Sequence, residues 1–251
     1  YRVASSFVFE HIDPSLISKK TYRKFPVQGL FDGQLKFAGS GHTLEEAYED
    51  FEGDLTITGR NGVLTAFELD SRSQLGLLGA GILGQSLNRP GMTAMAQAVP
   101  YFKDMKFESF TLQLVRGKDK QVRIPELKLM GDNLSINAHG AIAAGNLGEI
   151  LDHPLYLTLG LGAKGRLVDH LETLQLLGTK TSEDGFRTWN QDIVIRGSLG
   201  DPDTSDLKGL LNNAARRALD KPRKGEAAGT PTPPAQDGKV LPGQNNASEQ
   251  A

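Results

Sequence analysis

The sequence predicts a mainly β protein: a curved antiparallel sheet forming an open β-groove, covered by a few amphipathic helices, with a disordered C-terminal tail. Three observations predict it. Apolar and polar residues alternate with period 2 in run after run, the mark of strands with one buried face. Short Gly, Asn and Asp turns separate these runs, leaving most gaps too short for the helix that each parallel crossover needs. The 251 residues carry 29 glycines and 7% aromatics, a turn-rich composition rather than that of a helical bundle.

Taken in order, Phe31, Leu35 and Phe37 alternate with Asp32, Gln34 and Lys36. Leu55 and Ile57 follow, then Phe110, Leu112 and Leu114, then Leu134, Ile136 and Ala138. Leu155, Leu157, Leu159 and Leu161 form the cleanest run, and Ile193 and Ile195 close the series. Between Val122 and Leu129 the phase slips at Pro125 and Glu126, as at a β-bulge, and Pro125 suits an edge or bulge better than a central strand. Arg60-Asn61-Gly62 predicts a hairpin turn, since Asn-Gly tolerates positive φ at both turn positions. Gly117–Lys120 and Gly131–Asn133 predict two further turns, giving a meander.

Helices are expected in few places. Thr43-Leu-Glu-Glu46 is a capping box and opens a helix to about Phe51 that presents Leu44, Ala47 and Phe51 on one side. Residues 75–89 and 92–103 read as apolar helices broken by Pro90-Gly91. Helices are also expected over Leu167–Leu177 and Leu207–Leu219, the latter ending in the basic turn Arg216-Arg217. Residues 1–219 make one β-rich domain. From Asp220 to Ala251 the chain holds five of its 12 prolines and little that is large and apolar beyond Val240 and Leu241. Such a tail buries too little to offset its ordering entropy.

Composition excludes several function classes. With 28 Lys+Arg against 30 Asp+Glu, the net charge of −2 lacks the basic excess of a nucleic-acid binder. No cysteine is present, which removes disulfides, thiolate zinc sites and a cysteine nucleophile. The uncharged stretch Ser73–Asn88 is shorter than the roughly 18–20 residues of a membrane span. The sequence opens at Tyr1 without a charged-then-apolar leader and reads as a mature product or a fragment.

The letters Gly79-Ala-Gly-Ile-Leu-Gly84 match the dinucleotide fingerprint, but no strand–helix–strand context surrounds them. His11, His42, His139, His153 and His170 lack metal-site spacing. Asp152-His153 and Asp169-His170 are sequence neighbours, which is not how a base and its orienting carboxylate are recognised. Neither a nucleophile elbow nor a paired-carboxylate pattern exists. The expectation is no catalytic residue, no metal and no cofactor.

Several motifs, read in order, resemble the C-terminal region of the AsmA family of bacterial envelope proteins. They begin with Gly33-Gln-Leu-Lys-Phe-Ala-Gly-Ser-Gly-His-Thr-Leu-Glu-Glu-Ala47. Phe51-Glu-Gly-Asp-Leu-Thr-Ile57 and Asn61-Gly-Val-Leu64 follow. Lys128–Gly140 resembles the family's repeated strand–turn–strand, and Ile193–Pro202 resembles its closing strand. The resemblance covers roughly residues 1–205. It implies a periplasmic protein related to TamB-like bridge-like lipid transfer proteins, tethered to the inner membrane by an N-terminal anchor that this sequence lacks. It further implies phospholipid as partner and a part in outer-membrane biogenesis.

On this reading the groove-lining, lipid-binding residues are Leu55, Ile57, Phe110, Leu112, Leu114, Leu134, Ile136, Leu155, Leu157, Leu159, Ile193 and Ile195. The same strip can equally pack under the helices as an ordinary core. In the alternative reading, the sheet edge and apolar segment 75–99 hold an envelope protein partner without carrying lipid.

Overall fold

Alternation with one buried face leaves each strand needing neighbours on both edges, and hairpin-length turns supply them in sequence order. A computed structural model describes residues 1–14, 27–65, 89–145 and 147–220. They form an eleven-stranded open sheet whose described pairings are all antiparallel. Its strands are β1 (Arg2–Ile12), β2 (Val27–Ser40), β3 (Glu52–Thr65), β4 (Asp104–Arg116), β5 (Val122–Met130) and β6 (Leu134–Ile142). There follow β7 (Leu155–Ala163), β8 (Leu177–Thr181), β9 (Arg187–Trp189), β10 (Ile193–Gly197) and β11 (Pro202–Asp203). The spatial order is β1-β2-β3-β4-β5-β6-β7-β10-β11, with β9 pairing both β7 and β8 beside this path. The mainly β, open antiparallel class is as the sequence predicts; β1, β8 and β9 were not among the expected runs.

The helices are α1 (Leu44–Glu49), α2 (Pro90–Ala98), α3 (Pro100–Lys103), α4 (Arg166–Thr173) and α5 (Ser205–Asp220), with a 3₁₀ turn over Leu147–Asp152. The capping box forms as expected. The Glu46 amide donates to Thr43 Oγ1 at 3.1 Å, while Glu46 Oε2 accepts from the Thr43 amide at 3.3 Å. Of the expected face, Ala47 is buried but Leu44 is exposed. The helix rests directly on β2: a Cβ on Gly39 would lie 2.0 Å from the Ala47 carbonyl oxygen, so only glycine fits there.

Several local expectations are corrected. Asn61-Gly62 is not a hairpin turn but a bulge within β3. Arg60 pairs with Leu30 and Val63 with Gln28, so β3 carries one extra residue relative to β2. Asn61 takes φ 52°, the left-handed conformation that asparagine tolerates and most residues do not. Asn61→Val is expected to cost about 1–2 kcal/mol, and Asn61→Gly to be near neutral, by urea denaturation. Equal costs for the two would remove the conformational account.

The phase slip at Pro125 is a bulge, seen as register shifts against both neighbours, yet β5 is a central strand. The bulge relieves a proline of the ladder bond it cannot donate. The helix expected over 92–103 breaks at Val99, because Pro100 has no N–H and starts a new helix. That expected over Leu167–Leu177 stops at Thr173. Gln175 turns left-handed (φ 58°), its amide bonds the Glu172 carbonyl, and the Leu176 amide bonds the Leu171 carbonyl, each at 2.9 Å. This is a Schellman stop without glycine, closed by buried Leu171 and Leu176, and Leu177 opens β8 instead. The helix expected over Leu207–Leu219 is α5. Helix 75–89 (through residue 88), the Gly79–Gly84 letters and the tail from residue 221 lie outside the described residues.

Candidate functional site

The registers place all twelve residues of the expected strip on one sheet face, because directly opposed residues in an antiparallel ladder point the same way. One row crosses eight strands: Phe9, Gly33, Ile57, Leu112, Leu127, Ala138, Leu159 and Ile193, each opposite the next. Beside it run Phe31, Gly59, Phe110, Leu129, Ile136 and Leu161. On the other side Phe7, Leu35, Leu55 and Leu114 are aligned, and Leu157 faces Ile195. The bulges at Asn61 and Pro125 keep the rows in phase where the strands would otherwise flip faces. The opposite face carries Asp32, Gln34, Lys36, Thr56 and Thr58, all exposed.

Burial divides the strip in two. Leu134, Ile136 and Ile193 are closed in the main core, under Ala94, Met95 and Ala98 of α2, Leu167 and Leu171 of α4, and Leu207, Leu210 and Ala214 of α5. Leu155 and Ile195 join Val122, Ile124 and Ile142 in a second cluster bordered by Ile150 and Leu199. The other seven, Leu55, Ile57, Phe110, Leu112, Leu114, Leu157 and Leu159, are half-buried. Within the strip the β6 and β10 residues and Leu155 are closed, while the β3 and β4 residues, with Leu157 and Leu159 of β7, are half-buried. Outside the strip, Phe31 of β2 and Met105 and Phe107 of β4 belong to the main core.

The β1–β4 side also carries aromatics which the strip of twelve left out, Phe31 and Phe107 buried in the main core and Phe7, Phe9 and Phe37 less covered. Phe9, Phe31 and Phe37 lie opposite Gly33, Gly59 and Gly53, and Phe107 lies opposite Gly62. A Cβ on Gly33, Gly59 or Gly62 would lie 2.1–2.4 Å from the facing ring, so each ring lies across the space that glycine leaves. Phe31 meets Phe110 edge-on at 5.5 Å between ring centroids, and Phe7 stacks on Phe37 at 5.9 Å. The alternation of β2 signalled Phe31 and Phe37. Phe7 and Phe9 were missed because Ser5 and Val8 blur the alternation of β1.

Among the described residues the apolar face also carries arginines: Arg187, opposite Ala163, pairs with Glu172 of α4, and a second lies deeper. Arg116, buried and opposite Gly53, donates to the carbonyls of Glu49 (3.0 Å) and Phe51, at the C-terminal end of α1. Its guanidinium also lies 4.7 Å from the centre of the Phe51 ring. Burial pushes its pKa below the ordinary arginine value, and the Asp50 carboxylate opposes that shift. The described histidines form no constellation on this face. His153 Nδ1 lies 3.2 Å from the Ala143 carbonyl oxygen, and His11 Nδ1 lies 3.8 Å from exposed Asp32. Among the described residues no cluster of three metal-ligating side chains occurs, and no helix is long and apolar enough to cross a membrane.

Fold and face together define a class: an open antiparallel sheet with one apolar side, closed into a core over part of its area and half-buried over the rest. No family model, curated protein or solved structure matches the chain.

Proposed function

We propose that this chain is a non-enzymatic, AsmA-like protein of the bacterial envelope that shields phospholipid acyl chains on its apolar sheet face. On this reading it works in the periplasm, tethered to the inner membrane within a longer protein, in lipid transport for outer-membrane biogenesis. The observation that carries it is the row from Phe9 to Ile193, unbroken across eight strands and only half-buried over its β3–β4 part. An acyl chain in water costs about 0.8 kcal/mol per methylene, on the order of 10 kcal/mol for sixteen carbons. A strip of Ile, Leu and Phe removes that cost without directional contacts, so no catalytic group is required. Half-buried Phe9, lying over Gly33, supports the reading, since its ring extends the apolar row to the β1 edge.

The test is native mass spectrometry with lipid extraction on the chain purified gently from a bacterial host. The expected result is co-purifying phospholipid, lost in Leu55→Glu and kept in Thr56→Glu, whose side chain faces the polar side. Far-UV circular dichroism checks both folds. Leu55 suits this better than Ile136 or Ile193, which are 6% and 2% exposed and whose replacement by an acid would unfold the chain. A clean apo mass in wild-type protein would overturn the lipid reading and favour a protein partner for the same face.

A further inference from the structure

The sheet's first strand is β1. Among the described residues β1 pairs only with β2, whereas the other end is finished by the two-residue β11 and then α5. Natural edges are usually blunted by Lys, Pro or inward charge, yet Val3–Phe9 carries no charge and no proline. Phe7 is 53% and Val8 65% exposed. Only at its end does β1 turn irregular, where His11 takes φ 56° and the register shifts before Ile12.

The bonding parity of this edge is fixed. The Tyr1 ammonium donates to the Gly41 carbonyl at 2.6 Å, and the Gly41 amide donates to the Tyr1 carbonyl at 3.1 Å. Tyr1 and Gly41 therefore form a doubly bonded pair, and bonded pairs recur at every second residue while the register holds. The register is constant from Arg2 to Phe9. Odd residues spend their backbone groups on β2, so Arg2, Ala4, Ser6, Val8 and Glu10 present theirs outward.

We infer that this edge pairs with β1 of a second copy of the chain, antiparallel, about a twofold axis through Ser6. In that register Arg2 faces Glu10 of the other copy and Ala4 faces Val8, all residues with outward-pointing backbone groups. Val3 faces Phe9 and Ser5 faces Phe7 on the apolar side, as the closer non-bonded pairs. Sliding by two residues keeps the parity but sets Arg2 against Val8 or Ile12, both apolar, so charge complementarity selects this register. A twofold axis normal to the sheet keeps both apolar faces on the same side, making one continuous surface of two copies. The inference uses parity, charge and exposure only and stands whether or not the face carries lipid.

The chain has no cysteine, which makes the test clean. Sedimentation velocity up to about 100 µM suits a single two-strand seam, at the small end of interface sizes. A dimer is expected, weakened about tenfold by Arg2→Glu and by Glu10→Arg separately and restored when the two are combined. Ser6→Pro removes an outward N–H that β2 does not use, so it should abolish the dimer and leave the fold intact. Oxidation should cross-link Ser6→Cys across the axis, where the Cα atoms would lie about 5.5 Å apart, but not Val8→Cys. Phospholipid content, read separately by mass spectrometry, reports the function and not the seam. A monomer throughout, a dimer that survives Ser6→Pro, or charge variants that are not rescued by combination would overturn the inference.

Discussion

Leu129→Ala is expected to lower the unfolding free energy by about 3–4 kcal/mol, whereas Leu55→Ala should lower it by about 1 kcal/mol. The two leucines lie on the same sheet face, so chemistry and strand propensity are matched and only the covering differs. Leu129 is fully buried, opposite both Phe110 and Ile136, in the core closed by α2, α4 and α5. Helices on one side and a hydrogen-bonded ladder on the other limit collapse, so the deleted atoms leave a cavity. Leu55 is half-buried between Leu35 and Leu114, where the shortened side chain leaves space that water can reach. Urea denaturation at unchanged m-value measures both. Equal costs would mean that the face is one uniform core, and would remove the structural basis for a ligand surface over β1–β4.

Arg116→Ala is expected to cost about 3 kcal/mol, with the loss of order concentrated in α1. The last carbonyls of a helix have no partner within it. Here the guanidinium satisfies those near the end of α1, from a strand two ladders away from β2. Removing it strands these acceptors and the face of the Phe51 ring together. Arg116→Lys should recover less than half, because one ammonium cannot reproduce the planar fork that reaches two carbonyls. Burial lowers the arginine pKa, but from a value far above neutrality, so the group stays protonated in folded and unfolded chains alike. The cost of Arg116→Ala should therefore be the same at pH 6 as at pH 8. Faster amide exchange over residues 44–49 is the accompanying signature. A change below about 0.5 kcal/mol would show that α1 is held by its packing on β2, at Gly39 and Phe37, without the arginine.

The strand phases were legible because each buried residue is separated from the next by one solvated residue, a pattern that needs no knowledge of neighbours. Leu155 to Leu161 and Phe110 to Leu114 are of this kind, and so is the Thr43 capping box, whose partners lie within four residues. The errors fell where a local signal serves two geometries. Asn61-Gly62 supplies the same left-handed φ to a hairpin turn and to a bulge, and only the continued pairing of Val63 and Leu64 with β2 and β4 distinguishes them. Leu174 and Leu177 keep a helical spacing, yet Gln175 ends the helix because Leu171 and Leu176 gain more by packing together under the main core. β1 was missed because its face is set by Phe37 and Leu35 of the adjoining strand rather than by its own alternation.

The sequence by itself determined the fold class and the antiparallel meander, and the phase of the strands whose alternation is clean, since these follow from period and turn chemistry. The aromatics Phe7 and Phe9 of β1 joined the apolar face only in the structure. Tertiary structure alone decided which part of that face is core and which is surface. Strand phase says only that a side chain points to one side. Whether a helix lies there depends on where α2, α4 and α5 return to the sheet, a distance in space that no local pattern encodes.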